Sequence, residues 1–147
     1  MFVLALAAAA LSGALMAVQG TLNASLSKVI GLLEAAFAVH VIGAVFGGVL
    51  LLLGLGTGHF ADAADAPWYT YLGGVLGMGI VFAVAFAIGK AGAASATTAI
   101  IVGQVTTAVI IDLFGWLGVE QIPFSFYKPL GLALMAGGAW LMLYRPT

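Results

Sequence analysis

An all-α integral membrane protein with five transmembrane helices is the fold class this sequence predicts, and three observations predict it. Of 147 residues, 64% are hydrophobic and only 6% are Asp, Glu, Lys or Arg, against roughly 25% charged residues in soluble proteins. So few charges cannot wet the surface of a globule. The apolar residues come in long blocks, near or above the ~20 residues a bilayer-spanning helix needs. Finally, Pro67, Pro123, Pro129 and Pro146 all fall outside the interiors of those blocks, with Pro129 suited to a first helical turn.

The first span is expected from Phe2 to Asn23. Its opening, "MFVLALAAAALSGALMAVQG", has no Lys or Arg before Lys28, and its apolar run exceeds the h-region of a signal peptide, so it reads as an uncleaved first helix. The second span runs from Leu32 to Gly54. The third, Trp68 to Ile88, is introduced by "PWYTY" (Pro67 to Tyr71), which supplies aromatics where a membrane interface would be. The fourth runs from Ala94 to Leu117. The fifth, Pro129 to Tyr144, is short, about 24 Å at 1.5 Å per residue, which puts Lys128 and Arg145 near the headgroups to snorkel. The connectors are Ala24 to Gly31, Leu55 to Pro67, Gly89 to Ala93 and Gly118 to Lys128, and residues 1–147 form a single transmembrane domain.

Charge placement suggests an orientation. Lys28, Lys90 and Arg145 fall on one side and Lys128 on the other, which favours the N-terminus outside by the positive-inside rule. That bias is small enough for insertion in both orientations, a dual topology. Five is also an odd number: two copies in opposite orientations make a ten-helix assembly with an inverted repeat, a plan found in secondary transporters.

Several function classes are disfavoured. The net charge is −1, so there is no polybasic face for nucleic acid. There are no cysteines, hence no disulfide, thiolate nucleophile or Cys-ligated metal. No HExxH, phosphate loop or nucleophile elbow occurs, and the two histidines lie far apart. An enzyme is not expected, nor a cofactor or metal site.

Glycines supply candidate packing faces, because small residues let membrane helices approach. Gly43 with Gly47, Gly73 with Gly77, and Ala9, Gly13 and Ala17 recur at four-residue spacing. On the fifth span Gly131, Met135, Gly138 and Met142 share one face, with Gly131 and Gly138 the core of a candidate subunit interface or internal packing face.

The polar residues within spans are few. Ser12, Met16, Gln19 and Asn23 follow an i, i+4, i+7, i+11 pattern and form one stripe. His40 lies inside the second span; Thr97 and Gln104 share a face of the fourth. Straight-helix arithmetic puts Gln19 about 7 Å, and His40 and Gln104 about 10–13 Å, from the side carrying Lys28 and Lys90, so that these three meet at one level. Asp112, in "GQVTTAVIIDLFG", lies about 8–10 Å from the opposite side. In an inverted pair, His40 of one copy would approach the depth of Asp112 of the other. A carboxylate in hydrocarbon is expensive and marks function by default, so Asp112 is the candidate coupling or gating residue. Gln19, Asn23, His40 and Gln104 are the candidate cavity or substrate-binding residues, weighed against plain interhelical hydrogen bonding.

Three stretches carry a resemblance: "VQGTLNASLSKVIG" (Val18 to Gly31), "PWYTYLGGVLG" (Pro67 to Gly77) and "GKAGAASATTAIIVGQVTTAVIIDLFGWLG" (Gly89 to Gly118). Together they resemble the five-helix YdcZ-type proteins of the drug/metabolite transporter (DMT) superfamily, across nearly the whole chain and in order. The resemblance implies an inner-membrane protein, multi-pass and bacterial, forming half of a ten-helix DMT-like inverted-repeat assembly. It implies a homodimer, parallel or antiparallel, or a hetero-oligomer with an oppositely oriented homologue. Leu113 stands where many members have His after the Asp, so an Asp–His couple does not carry over. The membrane-embedded Glu of small multidrug transporters is absent from the first span, and a cationic-drug antiport mechanism does not carry over either.

The expected function is therefore a secondary transporter or exporter subunit for a small metabolite, a dimer working by alternating access. Its amide-lined cavity suits a polar or zwitterionic cargo. The competing reading is a structural or regulatory membrane subunit that packs on a larger partner and transports nothing.

Overall fold

The computed structural model describes residues 1–144; Arg145 and Pro146, placed above at a membrane interface and beyond the last span, lie outside the described residues. Among the described residues all regular structure is helical, and four helices are long and apolar enough to cross a membrane. The chain divides into two compact units, residues 1–90 and 91–147.

The first unit holds α1 (Phe2–Ile30), α2 (Leu32–Leu52) and α3 (Leu72–Ala91, its last residue at the unit boundary). α1 is longer than the span expected from the sequence. The segment Ala24–Ile30 was expected as a connector but continues the helix, because it contains neither Pro nor Gly and its Ser27 hydroxyl bonds back to the Ala24 carbonyl (2.9 Å). The connector shrinks to one residue, Gly31. Its φ of 98° and ψ of 157° belong to a region essentially restricted to glycine. The Gly31 N–H donates to the Ser27 carbonyl and its own carbonyl accepts from the Ala35 N–H, both at 3.0 Å. A Cβ there would also collide with the Glu34 carboxylate, which sits in the first turn of α2, where the helix dipole favours it.

α2 and α3 are joined through two 3₁₀ turns, Phe60–Asp65 and Trp68–Tyr71. Tyr71 Oη donates to the Ala63 carbonyl (2.6 Å), tying the second turn to the first, and Thr70 Oγ1 donates to the Pro67 carbonyl (2.7 Å) within the second. Trp68 meets Tyr69 edge to face, with ring centroids 6.3 Å apart. Close approach between α1 and α3 occurs at Gly20, which is buried: a Cβ there would stand 2.7 Å from both Val84 and Ile88 side chains. Of the glycines expected to make packing faces, Gly77 has a near neighbour, His40, whereas Gly13, Gly43, Gly47 and Gly73 have nothing within 4 Å of a would-be Cβ. Spacing shows which glycines share a face, not which face meets a neighbour.

The second unit holds α4 (Ala93–Phe114) and α5 (Tyr127–Leu143). Gly92, at φ 86° and ψ 159°, starts α4 in the same glycine-only conformation as Gly31. α4 ends at Gly115 in the left-handed conformation, whose N–H reaches the Ile111 carbonyl, a common glycine cap. A 3₁₀ turn, Trp116–Gly118, follows, with Leu117 at φ 61°. The chain then folds back on the helix end. The Ile122 N–H donates to the Asp112 carbonyl (2.8 Å) and Gln121 Nε2 to the Leu113 carbonyl (2.9 Å), which satisfies carbonyls that a helix end leaves orphaned. α5 has 17 residues, about 25 Å in length, with Pro129 in its first turn.

Many Leu, Ile, Val and Phe side chains stand outward, and most of the buried residues are small: Gly20, Ala24, Ala35, Ala36, Ala85, Ala96 and Ala139, with Asn23 and Ile88. Inward small residues with outward large ones are what lipid solvation selects.

Candidate functional site

Helical spacing puts Ser12, Met16, Gln19 and Asn23 on one face of α1, and they line one open groove. Its volume is about 400 Å³, and Leu15, Val18 and Leu22 complete its lining. Asn23 is 5% exposed, while Gln19 and Ser12 are exposed. Two hydroxyls on this helix are already spent: Thr21 Oγ1 donates to the Ala17 carbonyl (2.9 Å) and Ser27 Oγ to the Ala24 carbonyl. Among the described residues the Gln19 and Asn23 amides have no such partner. Each amide offers two donors and a carbonyl acceptor, and unmet polar groups in an apolar setting cost about 1–3 kcal/mol each. The groove is thus an uncharged, amide-bearing surface on a helix otherwise covered in apolar side chains.

His40 is half-buried on α2. Its Nδ1 lies 2.8 Å from the Ala36 carbonyl oxygen, and its Nε2 faces Gly77 of α3.

In the second unit Gln104 is exposed on α4. Thr98 and Thr106 bond back to the carbonyls of Ala94 (2.8 Å) and Val102 (2.7 Å). Asp112 lies near the end of α4, and the ammonium of Lys128, in the first turn of α5, lies 3.6 Å from its Oδ2. The two side chains are 26% (Lys128) and 32% (Asp112) exposed, and Lys128 Nζ itself is buried without a hydrogen bond. Asp112 therefore serves the hairpin twice, its carbonyl holding Ile122 and its carboxylate facing Lys128. The sequence places Lys128 at the headgroups and gives it no partner. Reaching Asp112 depends on the course of residues 115–126, for which no local pattern is a guide. Gln121 was missed for the same reason.

On α5, Gly131 is half-buried and Gly138 exposed, and nothing lies within 4 Å of a Cβ added at either. This face is open within the described chain.

Comparison with known proteins yields one family. Residues 4–141 match the family model DMT YdcZ, described as "Putative inner membrane exporter, YdcZ". Neither the curated proteins nor the solved structures provide a match. The match covers nearly the whole chain, and the chain belongs to this family. It is a multi-pass inner-membrane protein of the transporter and exporter kind.

Proposed function

We propose that the chain is one half of a five-plus-five-helix exporter of small polar metabolites, a dimer working by alternating access. The observation that carries this is the α1 groove. Gln19 and Asn23 bring unpartnered amides to a shallow, open groove along one helix. Its lining comes from one helix, so a transport path needs an opposing wall, and a second copy supplies one. Gly131 and Gly138 on the open face of α5 are the proposed contact of that copy. Gln104 on α4 and His40 on α2 are each proposed as further substrate-binding side chains, and uncharged donors and acceptors favour a polar or zwitterionic cargo.

Asp112 and Lys128 are proposed as the gate. The pair stands at 3.6 Å and Lys128 Nζ is buried with no hydrogen bond of its own, so loss of the Asp112 charge leaves the ammonium uncompensated and drives it to move. A proton on Asp112, or an acidic group of the cargo, releases Lys128. Asp112→Asn is then expected to abolish pH-driven transport and leave the dimer intact; unchanged pH dependence would sink proton coupling.

The decisive test combines topology and flux. A single cysteine at Ala64, exposed in the first 3₁₀ turn, is labelled in intact cells with an impermeant maleimide. Labelling of about half the molecules, the rest reacting after permeabilisation, is the outcome expected for dual insertion and an antiparallel dimer. Complete labelling would require a parallel dimer or an oppositely inserted partner. In proteoliposomes, counterflow of zwitterionic metabolites is expected from the purified chain and lost in Gln19→Leu and Asn23→Leu. Flux indifferent to both substitutions would remove the groove from the path.

A further inference from the structure

One bond at His40 decides what the rest of its ring can do. A carbonyl oxygen only accepts, so in the 2.8 Å contact with Ala36 the proton is on Nδ1. In the neutral ring Nε2 is then an acceptor with a free lone pair. That nitrogen has no hydrogen-bond partner among the described residues. It faces α3 at Gly77, where a Cβ would stand 3.3 Å away. Any side chain at that position would crowd the lone pair, and the residue is glycine. His40 lies about 12 Å along α2 from Leu32, in the interior of a helix long and apolar enough to cross a membrane. The lining of the α1 groove does not include it, so this is a separate polar point, built from α2 and α3.

We propose that His40 Nε2, held as an acceptor by Ala36 and kept open by Gly77, receives a hydroxyl or N–H group of the transported molecule. A hydrogen-bond donor thereby becomes a defining feature of the cargo, and Gly77 a specificity-determining residue. The word "transported" rests on the exporter reading; the acceptor site itself does not.

The test uses the full-length chain in phosphatidylcholine nanodiscs, with His59→Gln leaving one histidine and ¹⁵N labels on its ring. Two isomeric probes separate the donor from mere partitioning: benzyl alcohol has an O–H, and anisole, of the same composition, has none. The expected spectrum shows Nδ1 protonated and Nε2 bare. Benzyl alcohol shifts the Nε2 resonance and anisole does not. Gly77→Ala weakens the benzyl alcohol response by about fivefold, the equivalent of one neutral hydrogen bond, while an unchanged Nδ1 signal reports that the bond to Ala36 is intact. A proton found on Nε2, equal shifts from both isomers, or no shift from either would overturn the proposal. An Nε2 signal already shifted by phosphatidylethanolamine, before any probe, would assign the donor to lipid and overturn the cargo role. The selective response to benzyl alcohol combined with absent metabolite flux would leave the acceptor site standing and bring down the exporter reading.

Discussion

The two helical hairpins of this chain, α1–α2 and α4–α5, are closed in different ways. The first turns on a single residue, Gly31, with backbone hydrogen bonds on either side and no side chain needed to hold it. The second runs through residues 115–126 and adds side chains to a backbone bond: the Ile122 N–H reaches the Asp112 carbonyl, Gln121 Nε2 the Leu113 carbonyl, and Lys128 faces the Asp112 carboxylate. The difference teaches where side-chain substitutions can act: the first turn depends on the backbone of Gly31 alone, whereas the second also depends on Gln121, Asp112 and Lys128.

The comparison can be broken most severely at Gly31. Gly31→Ala forces a side chain into a glycine-only conformation and against Glu34, and is expected to cost about 2 kcal/mol, read as a lower unfolding midpoint in detergent micelles. A neutral result would mean that the turn has more freedom than its dihedrals indicate. Next comes the ion pair. A double-mutant cycle of Asp112→Asn and Lys128→Met is expected to give a coupling of about 1 kcal/mol, as for a partly exposed pair; additive effects would deny that the two residues interact. Leu117→Gly works in the other direction. It removes a left-handed residue with a side chain and is expected to stabilise by up to about 1 kcal/mol, seen as a raised Tm that should also slow opening of this hairpin. The smallest effect is expected at Gln121→Ala, roughly 0.5 kcal/mol for one exposed hydrogen bond, detectable as faster amide exchange in the last turn of α4.

What the sequence made legible was local. The stripe Ser12, Met16, Gln19 and Asn23 follows from helical spacing alone, and those residues do line one groove. The start of α2 at Leu32, expected from the apolar run, is also where the helix begins. Whatever depended on chain return was not. Asp112 was identified by its chemistry, but its partner Lys128 was not, because α4 must first end at Gly115 and the chain then fold back through Ile122. Gly20 was overlooked as a contact because it does not recur at four-residue spacing with another glycine; its role comes from Val84 and Ile88 on a different helix. The helix through Ala24–Ile30 was missed because polar Ser and Lys residues looked like a loop, although nothing in them breaks a helix.

The one-residue connector also constrains how the protein is made. With only Gly31 between them, the adjoining ends of α1 and α2 stay within one residue of each other, so the insertion of either helix also places the near end of the other. At the tip of this hairpin Lys28 is the one basic residue in the last turn of α1, one of the few cations from which the positive-inside rule draws an orientation. Moving or removing it is expected to shift that small charge bias, and with it the share of chains inserted either way round.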